Sequence, residues 1–224
     1  FWTKITAGGG TVVHTAWSRG VLNKIEQMPK VIERLKQWKT EFENKTEYKG
    51  YKGIVNIAAI QGGRPWKGSR TPDVCSVYVD VRYPPGWTPL KVKAEMEKLI
   101  YEMNQEDPTL KLELEPYCTN PPTEIGEEEY IVQSIKKCHK AVLGQEPEII
   151  YELWYSNAPN FNSMGAKAVN YGPSGGRKIT GLTLSDRDRE YISVTDRHDC
   201  TKVYSLITLD ICSKTRAEVR PDLA

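Results

Sequence analysis

The chain contains three histidines in 224 residues, at positions 14, 139 and 198. A dinuclear metal centre needs several imidazoles and carboxylates converging to about 2 Å from each ion. No HxH, HxD or HExxH spacing occurs here, so spacing alone gives this chain no metal site of its own. Cys138 and His139 are adjacent on an expected helix and therefore point about 100° apart, too far to share an ion. His14 lies in Val12-Val13-His14-Thr15-Ala16, at the end of an extended stretch. An imidazole N–H there is suited to polarising a carbonyl oxygen, the alternative being a partly exposed strand-end residue. Arg82 closes the polar face of the alternating segment VCSVYVDVR (74–82). Its guanidinium can grip a carboxylate through two parallel hydrogen bonds, or it can be spent on Asp80, two residues away on the same face. The Gly172-Pro173-Ser174-Gly175-Gly176 loop offers backbone amides at the C-terminal end of an expected strand, the edge where α/β sheets hold ligands. The dense charge run Ser185–Glu190 reads as solvated surface.

The elements that must carry these residues alternate in type. Residues 1–14 read as extended, with Gly8-Gly9-Gly10 as a turn or bulge. Over 21–38, Val21, Ile25, Met28, Ile32 and Leu35 recur at helical spacing, and Pro29 predicts a kink or a break. Strands are expected at 54–60 and 74–82, the latter with Cys75, Val77, Val79 and Val81 on one face and Tyr78, Asp80 and Arg82 on the other. A helix over 88–103 and a strand over 110–115 complete a βαββαβ order, the split βαβ arrangement of a ferredoxin-like domain. After Asn120-Pro121-Pro122 the pattern gives helices at 126–143, 156–164 and 196–213 and strands at 148–152 and 167–171. That is an α/β layout with too few strands for a full doubly wound sheet.

Composition narrows the functions. Lys and Arg number 31 against 29 Asp and Glu, for a net charge of +2, which gives no electrostatic case for nucleic acid or an anionic membrane. No apolar run approaches the roughly 20 residues of a membrane span. Five widely spaced cysteines without a CxxC pair read as reduced thiols, hence a cytoplasmic setting. The opening Phe1-Trp2-Thr3-Lys4-Ile5 has neither a basic n-region nor an apolar h-region. It reads as a strand already under way, and the chain is expected to begin inside a longer product.

Five segments in this order resemble one family: VVHTAWSRGVLNKIEQM (12–28), VNIAAIQGG (55–63), TPDVCSVYVDVRYPPG (71–86), SNAPNFNSMGAKAVNYGPSG (156–175) and REYISV (189–194). It is the zinc-dependent family of aminoacylase, acetylornithine deacetylase, succinyl-diaminopimelate desuccinylase and glutamate carboxypeptidase. The resemblance implies that 1–115 is a ferredoxin-like lid and dimerisation domain. It implies that 116–224 is the C-terminal portion of an α/β metallohydrolase domain. His14 matches the lid histidine that enters the partner subunit's site and stabilises an oxyanion. Arg82 matches the arginine that binds a substrate carboxylate, with Asn157 and Gly175 as further substrate-binding positions. Zinc is implied, as two ions ligated mostly outside this chain, other divalent metals being open. So are a missing N-terminal segment or companion chain, a homo- or hetero-oligomer through the lid, and a small carboxylate-bearing substrate of amide or peptide type. Two positions depart from the pattern. Counted back from Glu190 without gaps, the place of the last metal-ligating histidine holds Asp186, which a metal would still accept. The usual Ser-Asp-Ala is Ser156-Asn157-Ala158, and Asn lacks the charge of Asp. Either the metal site is altered or the chain has drifted to a non-catalytic dimerisation or binding role.

Overall fold

The computed structural model describes residues 1–151, 153–154, 156–173 and 192–221. The chain divides into two compact units, Phe1–Pro122 with Tyr151–Tyr155, and Thr123–Ile150 with Ser156–Ala224. The fold is mixed α/β, with a central antiparallel sheet and flanking helices.

In the first unit the elements run β1 (Trp2–Ala7), α1 (Lys24–Lys45), β2 (Ile54–Gly62), β3 (Cys75–Arg82), α2 (Pro89–Glu106) and β4 (Leu112–Cys118). The four strands lie in the order β2-β3-β1-β4, every pair antiparallel. The alternation read in 74–82 holds: Cys75, Val77, Val79 and Val81 are all buried, while Tyr78, Asp80 and Arg82 face the other way. One apolar cluster joins that face to Met28, Val31, Leu35, Trp38 and Phe42 of α1 and to Val92, Met96, Leu99 and Met103 of α2. Both helices therefore cover one side of the sheet. The opposite side stays polar, with Lys4 Nζ on Glu115 at 2.6 Å, Thr6 against Ser76 at 3.0 Å and Tyr78 Oη donating to Gln61 at 3.1 Å.

Helix α1 runs unbroken through Pro29, against the expected kink or break. A proline inside a helix costs about 3 kcal/mol. Burying one large apolar side chain contributes roughly 1.5–3 kcal/mol. Five of them, from Met28 to Phe42, lie on the sheet side of this helix and decide the outcome. Its start is fixed by Asn23, whose side chain accepts from Ile25 N at 3.0 Å. Lys24 follows, wholly buried, with Nζ donating to Thr109 O at 2.6 Å and Gln27 Oε1 at 2.9 Å; burial lowers its pKa.

The second unit pairs α3 (Tyr130–Leu143) with α5 (Val194–Cys212), beside the short α4 (Ala158–Ser163) and α6 (Arg216–Val219). Ile135 and Cys138 of α3 meet Val203 and Ile207 of α5. The strands expected at 148–152 and 167–171 do not form among the described residues. Ile149 and Ile150 are exposed. A strand needs a neighbour for its N–H and C=O groups, and this unit offers none among the described residues. Helix α3 begins at Tyr130 rather than 126 and stops at Gly144, whose φ of 75° suits a residue without Cβ.

A carboxylate clamp stands in each unit. Asp210 accepts from Ser134 Oγ at 2.7 Å, Lys137 Nζ at 3.0 Å and Tyr130 Oη at 3.0 Å. Asp107 accepts from Lys30 Nζ at 2.7 Å and from Thr109 Oγ1 at 2.5 Å. The Ser134 and Lys137 bonds hold the Asp210 carboxyl down at about 2, and the Lys30 and Thr109 bonds do the same for Asp107, against an ordinary 3.8. Each folded pKa lies below its unfolded value, so this stabilisation is complete above about pH 4 and is lost as pH falls toward 2. Acid titration followed by far-UV circular dichroism should show unfolding in that window. Asp210→Asn and Asp107→Asn should each flatten the pH dependence by about one proton. An unchanged acid limb in both variants would show that the clamps contribute nothing.

Candidate functional site

His14 sits at a tip beyond the end of the sheet where Ala7 of β1 pairs with Cys75 of β3. The chain reaches it through Gly10, whose N–H donates to Asp73 O at 3.0 Å. A Cβ at Gly10 would lie 2.8 Å from the Asp73 Cα, so the close approach of the two segments requires glycine. Thr71 then locks the segments together, its hydroxyl donating to Thr11 O at 2.7 Å and accepting from Val13 N at 2.9 Å. His14 itself forms an isolated antiparallel bridge with Arg70. Its Nδ1 accepts from Ala16 N at 3.2 Å, and its ring meets Trp17 edge-on at 5.6 Å. With Nδ1 accepting, the neutral ring carries its proton on Nε2, which makes Nε2 a donor. The two loops of the tip contain Arg19, Arg64, Lys67 and Arg70 and no Asp or Glu between residues 8–25 and 58–72. Trp17 and Trp66 stand exposed on them, at 73% and 82%. The tip thus presents a hydrogen-bond donor inside a cationic, aromatic rim, a setting that favours negative charge on a bound group.

Arg82 lies at the other end of the sheet, where Trp2 pairs with Asp80 and Ile54 with Arg82. Its Nε donates to both Asp80 oxygens, at 2.9 Å and 2.8 Å, and its Nη1 donates to Leu153 O at 3.2 Å. The pairing with Asp80, one of the two readings left open by the sequence, is therefore present. It does not exhaust the guanidinium: among the described residues Nη2 and one Nη1 hydrogen carry no bond. The group borders a cavity of about 490 Å³ with Tyr51, Lys52, Ile54, Asp80, Leu153 and Trp154.

His14 and Arg82 are not brought together. The seven steps of β3 from Cys75 to Arg82, at about 3.4 Å each, put more than about 20 Å between the tip and the cavity. Asn157 precedes α4, where its carbonyl accepts from Asn160 N at 3.1 Å and its side chain makes no capping bond. Gly175 and Asp186 lie outside the described residues, as does the whole charge run 185–190. His139 shares a 2.8 Å hydrogen bond with Tyr171 Oη, while the neighbouring Cys138 is buried against α5. None of the five cysteines is disulfide-bonded. Among the described residues no group of three or more His, Cys, Asp or Glu gathers as a metal site, and no helix is long and apolar enough to cross a membrane. The residues that sequence reading missed are Tyr51, Lys52 and Trp154 around Arg82. The signal for the first two was the tandem Tyr-Lys-Gly at 48–53.

Residues 4–108 match the family model of the peptidase dimerisation domain, M20_dimer. That stretch, just under half of the chain, is similar to the dimerisation domain of M20 peptidases. An acetylornithine deacetylase of Myxococcus xanthus is 23% identical over 158 residues, 70% of this chain and 38% of that protein. An M20 family metallo-carboxypeptidase from Sulfolobus solfataricus superposes with a TM-score of 0.64 at 15% identity, over 92% of this chain and 56% of its own. A tripeptidase from Staphylococcus aureus gives 0.65 at 15% identity, over 95% and 51%. At these identities the superpositions establish a shared fold. The chain spans about half the length of these solved structures and less of the deacetylase.

Proposed function

We propose that this chain is the lid and the C-terminal catalytic portion of a metal-dependent M20 amidohydrolase or peptidase. It cleaves an amide bond in a small carboxylate-bearing substrate such as an N-acyl amino acid or peptide. In this reading residues 1–115 form a ferredoxin-like lid that dimerises, and 116–224 return to the catalytic domain. The observation that carries it is the opposed placement of His14 and Arg82. A donor in a cationic tip suits the oxyanion of a tetrahedral intermediate, and an open guanidinium edge suits a ground-state carboxylate. Separated by the length of the sheet, the two act on one small substrate only if they come from different copies. Arg82 then serves one active site and His14 reaches the other, which makes the dimer part of the mechanism.

The described residues do not fit a zinc centre, since no ligand set gathers among them. The metal ions and the general base are assigned to a preceding segment or companion chain. The chain's own contributions are to orient the substrate through Arg82 and to stabilise developing negative charge through His14 Nε2–H. Asn157 and Gly175 join Arg82 as substrate contacts, and Asp186 is a ligand that this chain would add to a metal held mainly elsewhere. A second reading, a non-catalytic dimerisation or binding subunit, is favoured by Asn157, which lacks the charge of the expected Asp.

Metal analysis separates the two. Alone, the chain is expected to hydrolyse no N-acyl amino acid and to retain no stoichiometric zinc after dialysis. Joined with its companion segment it should hold about two metal ions per active site and turn over. Tight, stoichiometric zinc in the isolated chain would contradict the assignment, and a complex without metal would establish the non-catalytic reading.

A further inference from the structure

The cavity beside Arg82 has more than a carboxylate grip in its walls. Tyr48 and Tyr51 pair across a tight turn, each N–H donating to the other's carbonyl at 2.8 Å. Lys49, with φ of 49°, and Gly50, with φ of 80°, occupy the two central positions, as a turn matching strand twist demands. The Lys49 ammonium lies 4.3 Å from the centre of the Tyr151 ring, 5.4 Å from that of Tyr48, and donates to Tyr151 Oη at 3.1 Å. A cation held between two rings gives rigidity to both. Tyr151 in turn meets Tyr51 at 6.1 Å, a tilted aromatic contact. The hairpin is thereby fastened to the 151–154 segment, and that segment is fastened to the sheet by Arg82 Nη1 on Leu153 O. Tyr51 and Trp154 become walls of one cavity, with Ile54 and the guanidinium of Arg82. Trp154 is 61% exposed, Ile54 50% and Tyr51 39%.

From this arrangement we infer that the cavity is a specificity pocket for an aromatic or large apolar side chain attached next to the carboxylate that Arg82 binds. Resting on the reading of Arg82 as the carboxylate anchor, the inference adds which carboxylates are chosen. Asp80 is a positioning residue: it holds Nε and leaves the outer edge of the guanidinium for the ligand. A carboxylate on that edge brings its α-substituent within reach of the Tyr51 and Trp154 rings, in a space of about 490 Å³. A phenyl or indole ring there gains its buried area and ring–ring contact. A methyl group gains little of either.

Isothermal titration of the 224-residue chain with N-acetyl-L-phenylalanine, N-acetyl-L-alanine and N-acetyl-L-phenylalaninamide tests both parts. The phenylalanine acid should bind about tenfold or more tighter than the alanine acid, the range one apolar pocket supplies. Trp154→Ala should erase that preference and leave the alanine acid unaffected, while Trp154→Phe should keep most of it. Arg82→Ala should weaken both acids alike, and the amide should bind as weakly to the native chain as the acid does to Arg82→Ala. Equal binding of the two acids, still lost in Arg82→Ala, would overturn the aromatic pocket and leave the carboxylate anchor standing. Binding that ignores both Arg82→Ala and the loss of the carboxylate would overturn the anchor and the inference with it. So would no binding of any of the three at 10-fold excess over a millimolar dissociation constant, a concentration of about 10 mM. Circular dichroism of Trp154→Ala guards against a folding artefact, and the retained alanine affinity is the second control.

Discussion

Replacing His14 by alanine in the complete enzyme should lower kcat by about 10²–10³ and leave KM nearly unchanged. The ground-state carbonyl oxygen carries little charge, and a hydrogen bond to it contributes little to binding. In the tetrahedral intermediate the same oxygen is an anion, and the bond strengthens as the charge develops. The loss therefore falls on the chemical step. His14 is prepared for this by Ala16 N, which takes Nδ1 as its acceptor and leaves the proton on Nε2. Its flanking loops, with Arg19, Arg64, Lys67 and Arg70, add favourable potential. The substitution should not unfold the protein, because the tip is held by Thr71 and by backbone bonds, not by the imidazole. Steady-state kinetics on the purified variant are the check. An unchanged kcat would reduce His14 to the strand-end residue that its spacing alone allows.

Arg82→Ala should act on the other parameter. A hydrogen bond to a charged partner contributes about 1.5–3 kcal/mol, so KM should rise by about 10–10² while kcat stays within a few-fold. The carboxylate is a full charge in ground and transition states alike, and losing its anchor is felt equally in both. Lysine should restore little, because a single ammonium reproduces neither the fork facing the ligand nor the simultaneous bonds to Asp80 and Leu153 O. The fold should tolerate both variants: Asp80 is partly exposed and its charge stays hydrated once its partner is gone. A fall in kcat with KM intact would place Arg82 in the chemical step and not at the carboxylate.

The sheet was legible from sequence because it obeys a period. Residues 75–82 alternate valine with polar residues, and burial on one face follows from that alternation alone. The helices over α1 and α2 were legible for the same reason, with their apolar stripes at helical spacing. Pro29 misled because a local rule met five buried neighbours whose sum exceeded it. The failure at 148–152 and 167–171 has a different cause. Short apolar runs specify that a strand is possible, while pairing depends on what lies alongside, and that neighbour is not in the described part of the second unit. The candidate site was half legible. His14 and Arg82 could be singled out by residue type and by resemblance. Their separation by a whole strand length could not, since it follows from the register of β1 on β3. The aromatic walls beside Arg82 join residue 51 to residue 154, and no local pattern connects positions a hundred residues apart.

Mixed dimers of the complete enzyme test the central claim most directly. One subunit carries His14→Ala, the other Arg82→Ala, and complementary tags isolate the mixed species. If each active site takes Arg82 from one copy and His14 from the other, one site of the mixed dimer has both residues intact and the other has neither. The mixed dimer should then show about half the wild-type kcat/KM per dimer, with a KM close to wild type, although each parent homodimer has kcat/KM lowered by about tenfold or more. A kcat/KM no higher than the mean of the two parents would contradict it, and would place His14 and Arg82 in service of the same copy or of no site at all.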